Sequence, residues 1–161
     1  MLNIYVEIDV EQHSPIGATV RMNVLNCQHV ALLVSNLERA DRFYGRVLGL
    51  PCVPRPLNFS GVWYQIGTLQ LHLIVRDDYV QPLENPEKWG RNPHLALAVD
   101  DLDAARTRLF EYGYEVKPSA SGRAALFVRD PDGNIVELAL AREPLSTTAS
   151  TNSRARPQTS A

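Results

Sequence analysis

Three of the chain's four histidines and one glutamate fall into a spacing that a random scatter rarely produces. His29 and His72 are 43 residues apart, and so are His94 and Glu137. An offset of 65 residues carries His29 onto His94 and His72 onto Glu137. Three imidazoles and a carboxylate are nitrogen and oxygen donors of the kind that hold Fe, Ni, Zn, Co or Mn as divalent ions. Taken singly, each has a bland reading. A histidine in a strand is usually a satisfied core residue, and Glu137 has Arg129 within reach across a hairpin. Four such residues at equivalent positions favour the metal reading.

The same offset reveals what must position them. His29 to Ala40 reads HVALLVSNLERA and His94 to Ala105 reads HLALAVDDLDAA, with six of twelve positions identical. Each copy is an apolar run of strand character that leads into a helix start. In the first, Ser35-x-x-Glu38 has the form of a capping box. Ala40, Phe43, Tyr44, Val47 and Leu48 then recur at helical spacing, and Gly49 stops the helix. In the second, Asp100 or Asp101 caps, Leu102, Ala105, Leu109 and Tyr112 make the apolar stripe, and Gly113 stops it. Strand-like runs follow each helix: residues 50–53, 62–66 and 69–75, then 114–117, 124–129 and 134–140. Gly67-Thr68 and Asp130-Pro131-Asp132-Gly133 carry turn chemistry. Each module therefore reads βαβββ, over about residues 26–76 and 91–141, and the fold class is α+β.

Strand alternation assigns faces. Val30, Leu32 and Val34 oppose His29; Leu95, Leu97 and Val99 oppose His94. Leu71, Leu73 and Val75 oppose His72; Val136, Leu138 and Leu140 oppose Glu137. Helices need an apolar face to cover, so the four candidate ligands are expected on the opposite faces, lining one cavity.

Composition bounds the rest. The 161 residues carry 16 Lys+Arg against 18 Asp+Glu, a net charge of −2, and 45% are hydrophobic. That balance speaks against a nucleic-acid binder and against a highly charged disordered chain. No apolar run approaches the roughly 18 residues of a membrane span, and the N-terminus lacks the cationic-then-apolar order of a signal peptide. Two cysteines, Cys27 and Cys52, make no disulfide framework, so a cytoplasmic location is expected. Residues 1–22 read as a poorly ordered extension, 23–142 as the domain and 143–161 as a disordered tail, because neither end has a periodic apolar face. His13 lies outside the repeat and has no assigned role.

A polar connection of 18 residues, Arg76 to Pro93, joins the modules. Such length is often functional. It holds Trp89, Arg91 and Asn92 just ahead of His94, and Arg91 is suited to clamp a substrate carboxylate; the competing reading is a plain connector or a dimer contact. Ser121, Gly122 and Arg123 form a turn, either at a cavity rim or an ordinary one. Cys27 sits two residues before His29 and reads as a packing residue.

The stretches CQHVALLVSNLERADRFYGRVLGL, LQLHLIV, NPHLALAVDDLDAA and FVRDPDGNIVEL resemble the vicinal-oxygen-chelate superfamily, which includes glyoxalase I, extradiol dioxygenases, methylmalonyl-CoA epimerase and drug-resistance proteins. The DPDGN turn ahead of the Glu-bearing strand is the most specific of these. The resemblance covers about Asn26 to Arg142 and is nearest to small single-unit glyoxalase-like proteins. It implies paired modules curled as a half-barrel around a divalent metal, with His29, His72, His94 and Glu137 as ligands and Glu137 as proton carrier. It implies a homodimer and a small-molecule substrate chelated through two adjacent oxygens, with Arg76, Arg91, Trp89 and Arg123 as substrate contacts. Where glutathione-using relatives carry an Arg and an Asn, this chain has Leu33 and Arg76, which points away from glutathione. The implied chemistry is lyase or isomerase action beside a carbonyl. An Fe(II) extradiol-type dioxygenase and a drug-binding resistance protein of the same fold are the alternatives.

Overall fold

The computed structural model describes residues 21–141. The expected tail from 143 onward and all but the last two residues of the expected N-terminal extension lie outside them, as does His13. The expected βαβββ repeat is present. In the first module β1 (His29–Val34), β2 (Cys52–Val53), β3 (Gly61–Ile66) and β4 (Leu69–Val75) form a sheet in the order β1-β4-β3-β2. In the second, β5 (His94–Val99), β6 (Val116–Pro118), β7 (Ala125–Arg129) and β8 (Ile135–Leu140) form a sheet in the equivalent order β5-β8-β7-β6. β1 runs parallel to β4 and β5 parallel to β8, while the remaining pairs are antiparallel. The parallel pairs need a long crossover, and each begins with a helix.

The helices are α1 (Leu37–Asp41), which runs on as a π-helical stretch over Arg42–Val47, and α2 (Leu102–Glu111). Asn36 caps α1 by accepting from the Arg39 N–H, and Asp101 caps α2 by accepting from Asp103 and Ala104. Ser35 is therefore not the cap. Its hydroxyl instead donates to Asp132 Oδ1 at 2.5 Å. Gly49 and Gly113 end the helices at φ of 71° and 79°, a region that costs other residues strain.

The aliphatic sheet faces are covered as alternation predicts. Val34, Tyr64, Leu71 and Leu73 of the first sheet and Leu126, Val128, Val136 and Leu138 of the second share one core with Phe43, Tyr44, Val47 and Leu109 of the helices. Burying each large side chain is worth about 1.5–3 kcal/mol.

Hydrogen bonds from the β7–β8 turn lock the modules together. Asp130 accepts from the Asp132 and Asn134 N–H groups at 2.9 and 2.8 Å, and from Tyr44 Oη of the first module at 2.9 Å. Asn134 Nδ2 donates to the Leu33 carbonyl at 2.9 Å, and Arg39 Nη2 to the Pro131 carbonyl at 2.6 Å. The DPDGN segment is thus an inter-module joint, and its polar groups are nearly all met inside the protein.

Candidate metal and substrate site

On the first sheet, Trp63 and His72 stand opposite each other across β3 and β4. Their rings stack at 4.1 Å, and the His29 ring stacks on the other side of the pair at 4.3 Å from His72. His72 Nε2 lies 3.0 Å from Gln70 Oε1. An amide oxygen only accepts, so Nε2 carries the proton and Nδ1 keeps the lone pair. Burial pushes His72 below the ordinary imidazole range, and the nearby His29 and Arg55 add to the shift. A neutral ring is the form a metal requires.

On the second sheet, Glu137 is 3% exposed. Arg123 Nη2 donates to its Oε1 at 3.0 Å, and His94 Nε2 lies 3.1 Å from its Oε2. Phe127 pairs with Glu137 across β7 and β8 and meets the His94 ring edge-on at 5.6 Å. His94 Nδ1 donates to the Asn92 carbonyl at 2.7 Å. A carbonyl only accepts, so in the neutral ring the lone pair sits on Nε2, beside Glu137. Two lone-pair atoms that close demand a proton or a cation between them. Asn92 is buried because its own amide ties the loop: Nδ2 donates to the Asn85 and Trp89 carbonyls at 3.0 Å, and Oδ1 accepts from the Asn85 N–H at 2.8 Å.

The four candidate ligands thus form two pairs. Among the described residues of one chain, no group of three or more His, Cys, Asp or Glu gathers closely enough to hold a metal. Within one chain, then, the four do not line one cavity. The repeat places an equivalent pair on each of two separate sheets, with no strand pairing between them among the described residues. Each pair supplies half of a three-nitrogen, one-carboxylate set, a composition that suits the first-row divalent metals once two halves meet.

Three of the four expected substrate contacts come together. A cavity of about 370 Å³ is lined by Lys88, Trp89, Arg91, Lys117, Arg123 and Phe127, among others. Trp89, Phe127, Ile135 and Leu83 form a second apolar cluster, so the inter-module connection lies on the second sheet rather than merely bridging. Gly90 is required there, since a Cβ would stand 2.7 Å from Phe127 Cζ. Arg76 is not part of this cavity; its guanidinium lies 5.4 Å from the Tyr79 ring. Arg55 and the Asn92 lock were not anticipated. Arg55 lies in an irregular segment, and its counterpart under the 65-residue offset is Ala120.

The model of the Glyoxalase/Bleomycin resistance protein/Dioxygenase superfamily matches residues 26–138. Among curated proteins, the chain is 27% identical over 127 residues to Glyoxylase I 4 of Arabidopsis thaliana, covering 73% of this chain and 71% of that one. It is 31% identical over 130 residues to human mitochondrial methylmalonyl-CoA epimerase, covering 72% and 74%. Among solved structures, a glyoxalase family protein of Bacillus anthracis superposes with a TM-score of 0.60 at 26% identity, covering 74% of this chain and 97% of that one.

Proposed function

Because the chain belongs to the glyoxalase/bleomycin resistance protein/dioxygenase superfamily, we propose that it is a divalent-metal enzyme whose site is completed by a second copy of itself. His29 and His72 of one chain would hold the ion together with His94 and Glu137 of the other. The observation that carries this reading is the pair of donor sets at equivalent positions of the two sheets, neither sufficient alone. When bound, the ion supplies a Lewis acid that polarises two adjacent oxygens of a small substrate. The chain's own groups do the rest. The Asn92 carbonyl keeps His94 in the tautomer that presents Nε2. Glu137, held at Oε1 by Arg123, moves the proton at the carbon beside the substrate carbonyl, giving lyase or isomerase chemistry. Trp89 and Phe127 give the cavity an apolar wall, and Arg91 and Arg123 bias it towards an anionic substrate. Free, exposed Cys27 and Cys52 suit a reducing cytoplasm, and among the described residues no helix is long and apolar enough to cross a membrane.

One observation favours a second reading. The Gln70 contact leaves His72 only Nδ1 to offer; were that atom not turned to the ion, His29, His94 and Glu137 would remain, two histidines and a carboxylate, the donor set of Fe(II) oxygenases with open positions. The test is to load the protein separately with Ni, Co, Mn, Zn and Fe(II), count metal per chain, and compare turnover. Substrates are small α-hydroxyketones, catechols with oxygen uptake, and the methylglyoxal–glutathione hemithioacetal. About one ion per chain is expected, with turnover of the ketones. Leu33 offers no cationic donor, so the hemithioacetal should lag by roughly ten- to a hundredfold. No retained metal under any loading would overturn the proposal, since a drug-sequestering protein needs none.

A further inference from the structure

Arg55 stands in the irregular segment between β2 and β3. Gly61, the first residue of β3, shares a face with Trp63 and therefore with His72, and its cross-strand partner is Ile74, two residues along from His72. A Cβ at Gly61 would stand 2.5 Å from the Leu73 carbonyl oxygen, 3.2 Å from Arg55 Nε and 3.4 Å from Cζ, so the strand backbone requires the glycine and the guanidinium packs closely over it. The Phe59 ring centroid lies 4.2 Å from the same Cζ. Arg55 is thereby laid over the open face of the first sheet, beside the Trp63–His72–His29 stack.

Its donors are unevenly used. Nη1 donates to the Leu57 carbonyl at 3.0 Å. Nε and Nη2 are buried and meet no acceptor, and among the described residues no carboxylate forms an ion pair with Arg55. Nε and Nη2 are the two nitrogens on one edge of the guanidinium, and their N–H bonds run parallel. That edge is the fork that takes both oxygens of a carboxylate. Buried donors of a cation left unmet are costly, and native chains keep few of them without a partner in some state. Arg123 contrasts with it, because Glu137 already occupies its Nη2.

We infer that Arg55 is an oxyanion-binding residue at the His29/His72 half of the site, and that the substrate carries a carboxylate in addition to the two oxygens it presents to the metal. The inference deepens the metal-enzyme reading and rests on it for the word substrate; the anion site itself stands on Arg55 alone. Phe59, 53% exposed, lies against the guanidinium face and leaves its edge to the anion.

The experiment uses the full chain, stripped of metal with EDTA and titrated with malonate and, separately, with inorganic phosphate, following the Arg55 Nε–H resonance by NMR. Malonate should move that resonance saturably. Arg55→Gln should bind malonate at least tenfold more weakly, the loss expected of a charge-assisted pair. Arg55→Lys should recover part of it, having the charge without the fork. Arg106→Gln, on the exposed face of α2, should bind as the parent does. Phosphate binding more tightly than malonate, with the same dependence on Arg55, would keep the oxyanion site and overturn the carboxylate as the group it takes. An unmoved Arg55 resonance with both anions, or parent-like malonate binding by Arg55→Gln, would overturn the inference. A parallel nickel titration separates the two readings: malonate binding without nickel binding would remove the metal enzyme and leave the Arg55 site in place.

Discussion

The backbone carbonyl of Asn92 decides what His94 can do. By taking the Nδ1 proton it turns the Nε2 lone pair toward Glu137, which is the arrangement a shared cation needs. Substituting Glu137 or His94 by Ala should therefore abolish tight nickel binding. His72→Ala should cost less than Glu137→Ala, because it removes a neutral donor and keeps the set's one carboxylate; calorimetric titration of the variants checks the ranking, and equal losses in these two would contradict it. A second prediction concerns Tyr44 and Tyr64. Burial, above all, drives both phenols well above their ordinary range, and hydrogen bonds to Asp130 and Asp41 add to it. The folded pKa exceeds the unfolded one, so this stability is whole below about pH 10 and lost as pH rises further, by up to about 1.4 kcal/mol per pH unit per phenol. Urea midpoints should be flat from neutral pH to about 9 and fall beyond 10, less steeply in Tyr44→Phe; a parent midpoint that holds steady to pH 11 would contradict it. At this scale the sequence was legible where residues repeat. His29, His72, His94 and Glu137 announced themselves by their offset. Arg55 did not, because it has no repeat partner, and its meaning depends on Gly61, six positions away.

Two elements carry more than their sequence signals suggested. The β7–β8 turn reads as a tight turn, and Gly133 does sit at φ of 88°. What the turn chemistry does not reveal is that Asp130 also receives Tyr44 from the other module. Asp130→Ala would leave that hydroxyl and two turn N–H groups without their acceptor, at a cost of about 3 kcal/mol, or on the order of 10 °C in melting temperature. A thermal melt within a degree or two of the parent would show that the joint does not matter. The connection from Arg76 to Pro93 looked ambiguous by length alone. Its role follows from Trp89 and Leu83 settling on Phe127 and Ile135, a long-range match that no local pattern encodes. Helix capping shows the same limit in reverse. Ser35-x-x-Glu38 is locally sound, yet Asn36 takes the cap, at the position the 65-residue offset makes equivalent to Asp101. Repeat register was the better guide, because Ser35 is drawn off to Asp132. The π-helical stretch over Arg42–Val47 has no signal in hydrophobic spacing, which continues through it.

At the scale of the whole molecule, periodicity was enough to give two βαβββ modules and to say which faces the helices cover. It could not say how the two ligand-bearing faces are disposed, because alternation within a strand carries no information about the separation of sheets. Among the described residues, each chain presents two half-sets of donors, and the proposed enzyme exists only where a His29/His72 half meets a His94/Glu137 half. Subunit mixing tests this directly. One chain carries His29→Ala with His72→Ala, the other His94→Ala with Glu137→Ala, and each is inactive toward metal alone. Co-refolded together, they should form mixed dimers in which one of the two sites is intact, so that nickel binding returns to about half an ion per chain in that species. If mixed dimers form and bind no nickel, the site is not shared between chains, and the proposed assembly is wrong.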